Sequence, residues 1–113
     1  MIIQRQVWHD YTKYLIADGY GSVQLELYDK EQKFGGTAFI YGLWVCPPHR
    51  RKLYAGALLS QAEFVAKQAG HKAVFLEWEG KDSPKWVLEW YLRIGYKEIE
   101  IDKQGCLLKK ELE

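Results

Sequence analysis

Between Ser22 and Tyr28 the chain alternates, with Val23, Leu25 and Leu27 set against Gln24, Glu26 and Tyr28. A period of two is that of a strand with one face in a core and the other in water. Upstream, Ile2 to Val7 and Tyr11 to Ala17 read as short strands, and Asp18-Gly19-Tyr20-Gly21 has the residues a turn favours. Asp29 to Gly36 reads as a polar hairpin loop. From Thr37 to Val45 both parities turn apolar, through Phe39, Ile40, Tyr41, Leu43, Trp44 and Val45, which predicts a central strand covered on both faces. Pro47 and Pro48 end it, because neither can donate a ladder hydrogen bond.

The period then changes. Ala55, Leu58, Ala62, Val65, Ala66 and Ala69 fall on one stripe at helical spacing, and Gly70 follows as a natural stop. Ala73 to Trp78 is a second apolar strand. Ser83-Pro84 predicts a side-chain cap with proline at the first helical position, and Val87, Trp90, Tyr91 and Ile94 form that helix's buried face up to Gly95. Tyr96 to Ile101 and Cys106 to Glu111 flank the turn-like Asp102-Lys103-Gln104-Gly105, a closing hairpin. The elements add up to an α+β fold with a mixed, mostly antiparallel central sheet and flanking helices. No repeat or Ser/Pro-rich linker divides residues 1 to 113, so the expectation is a single domain.

Composition narrows the function. With 16 basic and 15 acidic side chains the net charge is +1, so little long-range field draws nucleic acid or an anionic membrane, and an anion site must be local. The longest apolar stretch, Thr37 to Pro48, is shorter than the about 20 residues a spanning helix needs, and no basic-then-apolar leader opens the chain. A cytoplasmic protein is expected. Cys46 and Cys106 show no metal-ligand spacing and are read as free thiols, with no metal site. Five Trp, eight Tyr and four Phe supply much apolar surface, most of it for the core, with some left for a partner.

Local positive charge is concentrated in Val45-Cys46-Pro47-Pro48-His49-Arg50-Arg51-Lys52-Leu53-Tyr54-Ala55-Gly56-Ala57, the end of a strand, a basic loop and the start of a helix. The first amides of a helix have no intrahelical partner and lie at the positive end of its dipole, which suits a phosphate or pyrophosphate. Gly56, with Ala55 and Ala57, lets an anion approach the backbone. Arg50, Arg51 and Lys52 add formal charge beside those amides.

This segment resembles the coenzyme A loop of the GNAT (Gcn5-related N-acetyltransferase) superfamily, Gln/Arg-x-x-Gly-x-Gly/Ala after an apolar strand. Arg51-Lys52-Leu53-Tyr54-Ala55-Gly56 matches at Arg51 and Gly56, and departs at Tyr54, where the family has its first glycine. A second segment, Trp90-Tyr91-Leu92-Arg93-Ile94-Gly95-Tyr96, is similar to the aromatic-Tyr-x-x-x-Gly-Phe/Tyr end of the family's last helix. The resemblance covers roughly residues 36 to 111. It implies the acyl-CoA N-acyltransferase-like α/β fold, of three-layer type, with two parallel strands, Thr37 to Val45 and Ala73 to Trp78, splayed around acetyl-CoA as cosubstrate. Leu43, Trp44 and Val45 would contact the pantetheine arm. Backbone of Arg51, Lys52, Leu53, Tyr54, Ala55, Gly56 and Ala57, with the Arg50 side chain nearby, would hold the pyrophosphate.

Acetyl transfer to an amine needs a neutral nucleophile, a polarised thioester carbonyl and a proton for the departing thiolate. The resemblance makes Tyr91 the acid for the thiolate; the other reading of Tyr91 is one more aromatic on a buried helix face. A backbone N–H near Leu43 to Val45 would polarise the thioester. The family's base is often a carboxylate on the central strand, but Thr37 to Val45 has none, so Glu77 and Glu79 are the candidates. His49 is placed at the phosphate end, His71 after the helix stop, and His9 in a polar segment.

The acceptor is an unidentified amine, small or on a peptide. Family members insert helices between their first two strands, and residues 1 to 36 are too short and strand-like for both. The acceptor cleft is therefore expected to be open or completed by a second copy, for which Trp8, Tyr11, Tyr14 and Tyr20 are available. No acidic cluster for a polycationic substrate stands out. Two other readings stand beside the enzyme: a non-catalytic coenzyme A-binding or interaction module of the same fold, and a nucleotide- or RNA-binding α+β domain, which the near-neutral charge and missing RNP-like motif disfavour.

Overall fold

A computed structural model describes residues 1–50 and 53–113. Seven strands, β1 (Ile2–Val7), β2 (Tyr11–Ala17), β3 (Gly21–Tyr28), β4 (Ala38–Val45), β5 (Ala73–Glu79), β6 (Lys97–Ile101) and β7 (Gly105–Glu111), form one sheet in the order β1-β2-β3-β4-β5-β7-β6. Helix α1 (Tyr54–Gln68) joins β4 to β5, and α2 (Lys85–Arg93) joins β5 to β6. Every neighbouring pair is antiparallel except β4 and β5.

Both helices lie on one face, and connectivity explains why. β4 and β5 are parallel, and β5 and β6 share a direction because each is antiparallel to β7. The two crossovers advance the same way across the sheet, and right-handedness then sends both helices to the same side. Leu58, Leu59, Ala62 and Ala66 of α1 and Tyr91 of α2 join Ile16, Val23, Leu25, Ile40, Val74 and Leu108 in a single core. Against the sequence pattern, Leu59 is buried, Ala69 is exposed, and Glu63 is half-buried, holding the Tyr96 hydroxyl (2.7 Å) and Lys110 Nζ (3.0 Å).

Among the described residues the second face carries no helix. The turn at Trp8–Asp10 passes straight from β1 to β2, and that face is covered instead by a line of rings. Trp8 stacks on Tyr11 (6.1 Å between centroids), Tyr11 on Tyr28 (5.2 Å), and Phe34, from the loop before β4, reaches Phe39 (5.0 Å) and Phe75 (5.1 Å). Each such pair stabilises by about 0.5–1.5 kcal/mol beyond its buried area. β4 is consequently not covered on both sides: Ala38, Ile40 and Val45 are buried, Phe39 and Tyr41 only half so, and Trp44 is 52% exposed. An apolar run on both parities looks the same whether its second face meets a helix or a row of aromatic rings.

Candidate active site

β4 and β5 begin side by side and then part. Phe39 and Phe75 are their one register pair. Beyond it, Gly42 takes φ +64°, a left-handed conformation that a Cβ disfavours, and β4 bulges against β3 between Ser22 and Gln24. The bend carries Leu43 and Trp44 away from β5 and leaves strand-edge amides and carbonyls without a ladder partner on that side. A cavity of about 540 Å³ occupies the opening, walled by Tyr41, Gly42 and Leu43 from β4, Glu77, Trp78 and Glu79 from β5, and Tyr91 from α2.

Tyr91 is 8% exposed, its ring 5.2 Å from Trp90 and 5.8 Å from Tyr96. Burial pushes its hydroxyl up to about 12, so it holds its proton throughout the physiological range. Among the described residues that hydroxyl has no hydrogen-bond partner. Glu77 and Glu79 are exposed, line the same cavity, and form no ion pair among the described residues.

At the far end of β4, α1 starts without a side-chain cap from Leu53, its N-cap, which is 90% exposed; among the described residues no side chain is bonded to the first-turn amides of Tyr54, Ala55 and Gly56. The first intrahelical bond runs from Ala57 N–H to Leu53 C=O (3.0 Å). Tyr54, standing where a glycine was expected, is ordinary helix: its ring stacks on Tyr20 (4.1 Å) and meets His49 edge-on (5.6 Å). Here Tyr20 belongs to the loop cluster while staying 38% exposed, and Tyr14, half-buried, packs against the core.

Other expected residues fall differently. Val45 is buried in the core, so it offers the opening no side chain. Arg50 turns back: its Nε–H donates to the Val45 carbonyl (2.8 Å) and its guanidinium lies 5.9 Å from the Trp44 ring. Arg51 and Lys52 lie outside the described residues. Ser83 caps nothing, since Pro84 itself is the N-cap of α2 and Ser83 N–H bonds to Glu79 C=O (3.0 Å).

One functional candidate was missed. Glu26, on the uncovered face of β3, accepts the Tyr28 hydroxyl at Oε1 (2.5 Å) and the Tyr41 hydroxyl at Oε2 (2.9 Å). Burial first, and then this carboxylate, hold both tyrosines well above the usual phenol range, so both remain donors. The signal was present, a carboxylate and a tyrosine on the polar parity of one strand, but its third member comes from β4.

A strand splay with an uncapped helix at one end and a buried tyrosine at the other defines a class that the comparisons identify. The chain belongs to the acetyltransferase (GNAT) family, whose model matches residues 18–96. Similar solved folds include an acetyltransferase from Bacillus cereus (TM-score 0.69, 21% identity, covering 91% of this chain and 74% of that one). Another is the PaiA N-acetyltransferase of Thermoplasma acidophilum, solved in complex with coenzyme A (0.69, 21%, 90% and 61%). A third is the ribosomal-protein-S18-alanine N-acetyltransferase of Escherichia coli (0.68, 14%, 94% and 72%). No curated protein sequence matches the chain.

Proposed function

We propose that this chain is an acetyl-CoA-dependent N-acetyltransferase that moves an acetyl group to a primary amine. One observation carries the reading: the opening where β4 leaves β5 has the unpartnered Tyr91 hydroxyl on its wall, and the same strand leads on to the start of α1, where the helix has no side-chain cap. The donor's pyrophosphate would lie on the amides of Tyr54, Ala55 and Gly56, with formal charge from Arg51 and Lys52. Its pantetheine arm would run along Leu43 and the exposed Trp44, and its thioester would lie near Tyr91.

In the reaction a neutral amine attacks the thioester carbonyl, the C–N bond forms, and the C–S bond breaks. An unpaired N–H of the bent β4 segment stabilises the developing oxyanion. Tyr91 delivers a proton to the departing sulfur, a role suited to a hydroxyl that is protonated at every physiological pH. Glu77 or Glu79, exposed at the same opening, takes the proton that the amine loses, directly or through water.

Thermal melting with acetyl-CoA, followed by a thiol-release screen over amines, tests this. Saturating acetyl-CoA should raise the melting temperature, since a ligand at a hundredfold its dissociation constant stabilises by about 2.7 kcal/mol. At least one amine should release thiol. A shift without release from any amine would favour the binding module, to which Tyr54 and the helix-free second face also lend weight.

A further inference from the structure

The ring-covered second face holds a second cavity, of about 850 Å³, which shares Phe39, Glu77, Trp78 and Glu79 with the opening beside Tyr91. The two cavities therefore adjoin along these four residues. Its charge is one-sided. Glu26, Glu77, Glu79, Glu100 and Asp102 line it against only Lys33 and Lys81, a formal −3 on a chain whose net charge is +1. These residues come from β3, β5, β6 and the loops beside them, so no linear stretch shows them together.

Glu26 differs from the others in being fixed. Two phenol donors hold its oxygens, one each, and since both tyrosines stay protonated the carboxylate can only accept. Each oxygen keeps a lone pair for a further donor. Tyr28, Phe34 and Phe39 stand beside it as an aromatic wall, suited to an aliphatic stem and to the face-on approach of an ammonium.

Building on the acetyltransferase reading, we propose that the acceptor is an aliphatic amine bearing a second ammonium group, and that Glu26 seats that second group. Glu26 lies opposite Phe39, and Leu43 at the splay is four residues further along β4. At about 3.3 Å per residue, the two nitrogens are separated by roughly 10–13 Å. The molecule is therefore a linear oligoamine, with one end on Glu26 and the other, deprotonated, at the thioester. Glu26 is a specificity determinant and touches no reacting atom.

The test compares α,ω-diaminoalkanes with n-alkylamines of equal length in the thiol-release assay, and measures diamine binding by calorimetry on the protein saturated with coenzyme A. Diamines should have a KM about tenfold lower, the effect of one well-placed charge contact. Glu26→Gln should abolish the difference by raising KM for diamines alone, with kcat within about twofold. Tyr28→Phe, which keeps the charge but frees one oxygen, should give a smaller rise in the same direction. An unchanged melting shift with acetyl-CoA certifies that each variant is folded.

Equal KM values for the two amine series, a Glu26→Gln effect that is the same for both, or a lysine-rich peptide outcompeting every diamine would overturn the proposal. Diamine binding lost in Glu26→Gln without thiol release from any amine would uphold the seat while sinking the transferase reading. No diamine binding to the unaltered protein would sink the seat alone.

Discussion

The indole edge of Trp90 stands 3.9 Å from where a Cβ on Gly56 would lie, and no other described atom outside the helix's own backbone comes within 4 Å of that point. At such a distance an added methyl group is in ordinary contact, so the folded chain by itself makes no demand for glycine there. A demand for glycine can come only from what approaches the helix end.

Gly56→Ala should therefore leave melting unchanged or raise stability by up to about 1 kcal/mol, the helix-propensity gap between the two residues. The same change should weaken acetyl-CoA binding, and Gly56→Glu should abolish the ligand-induced shift by setting a negative group at the diphosphate seat. Melting curves with and without acetyl-CoA read both effects; an unaltered shift in Gly56→Glu would remove the helix terminus from the binding site.

Tyr91→Phe should lower kcat by about 10²–10⁴-fold, the usual contribution of a positioned proton donor, with the dissociation constant for acetyl-CoA nearly unchanged. Because the hydroxyl is pushed up to about 12, any basic limb in the rate profile below that belongs to another group and should persist in slower variants. Pre-steady-state mixing separates the chemical step from product release.

Alkaline stability follows from the same burial. Tyr91 has a folded value near 12 against an ordinary 10, and Tyr28, Tyr41 and Tyr96 are also raised. A raised folded value means that stability is fully present below about pH 10, where unfolded tyrosine is still neutral, and is lost as pH rises through the folded values. Melting temperatures should be flat towards pH 10 and fall steeply above it, less so in Tyr91→Phe.

His71 works in the opposite direction. Desolvation lowers it below the ordinary 6.5, against a raising contribution from Asp29, and one ring nitrogen is bonded to the Thr37 hydroxyl (2.7 Å). On acidification the unfolded chain takes up this proton first, so the contribution is present above about pH 6.5 and lost as pH falls through the folded value. The drop in melting temperature between neutral and mildly acidic buffer should be smaller in His71→Gln than in the unaltered chain.

Periodicity was enough to locate seven strands and two helices, because each buries a stripe whose spacing is written along the chain. The placement of Gly56 in the first turn of α1 and of Tyr91 in the last turn of α2 was legible for a related reason: a helix end is a local, contiguous arrangement. What could not be read was anything made across strands. Glu26 meets Tyr41 only through the β3–β4 pairing, and Glu77 joins Glu100 only because β7 lies between β5 and β6. Arg50 shows the limit of reading charge: its loop position suggested an anion contact, while its Nε–H closes the strand end.

Gly42 has a wider bearing than its size suggests. With φ at +64°, and the Gln24 amide 2.9 Å from where a Cβ would lie, the residue admits no side chain without strain. Were it free to run straight, the neighbouring parallel strands would zip together along their length and satisfy each other's amides, a better-sealed sheet with nowhere for a guest. The opening thus depends on a methyl group that is not there, and any drift of this position towards alanine would exchange it for a tidier sheet.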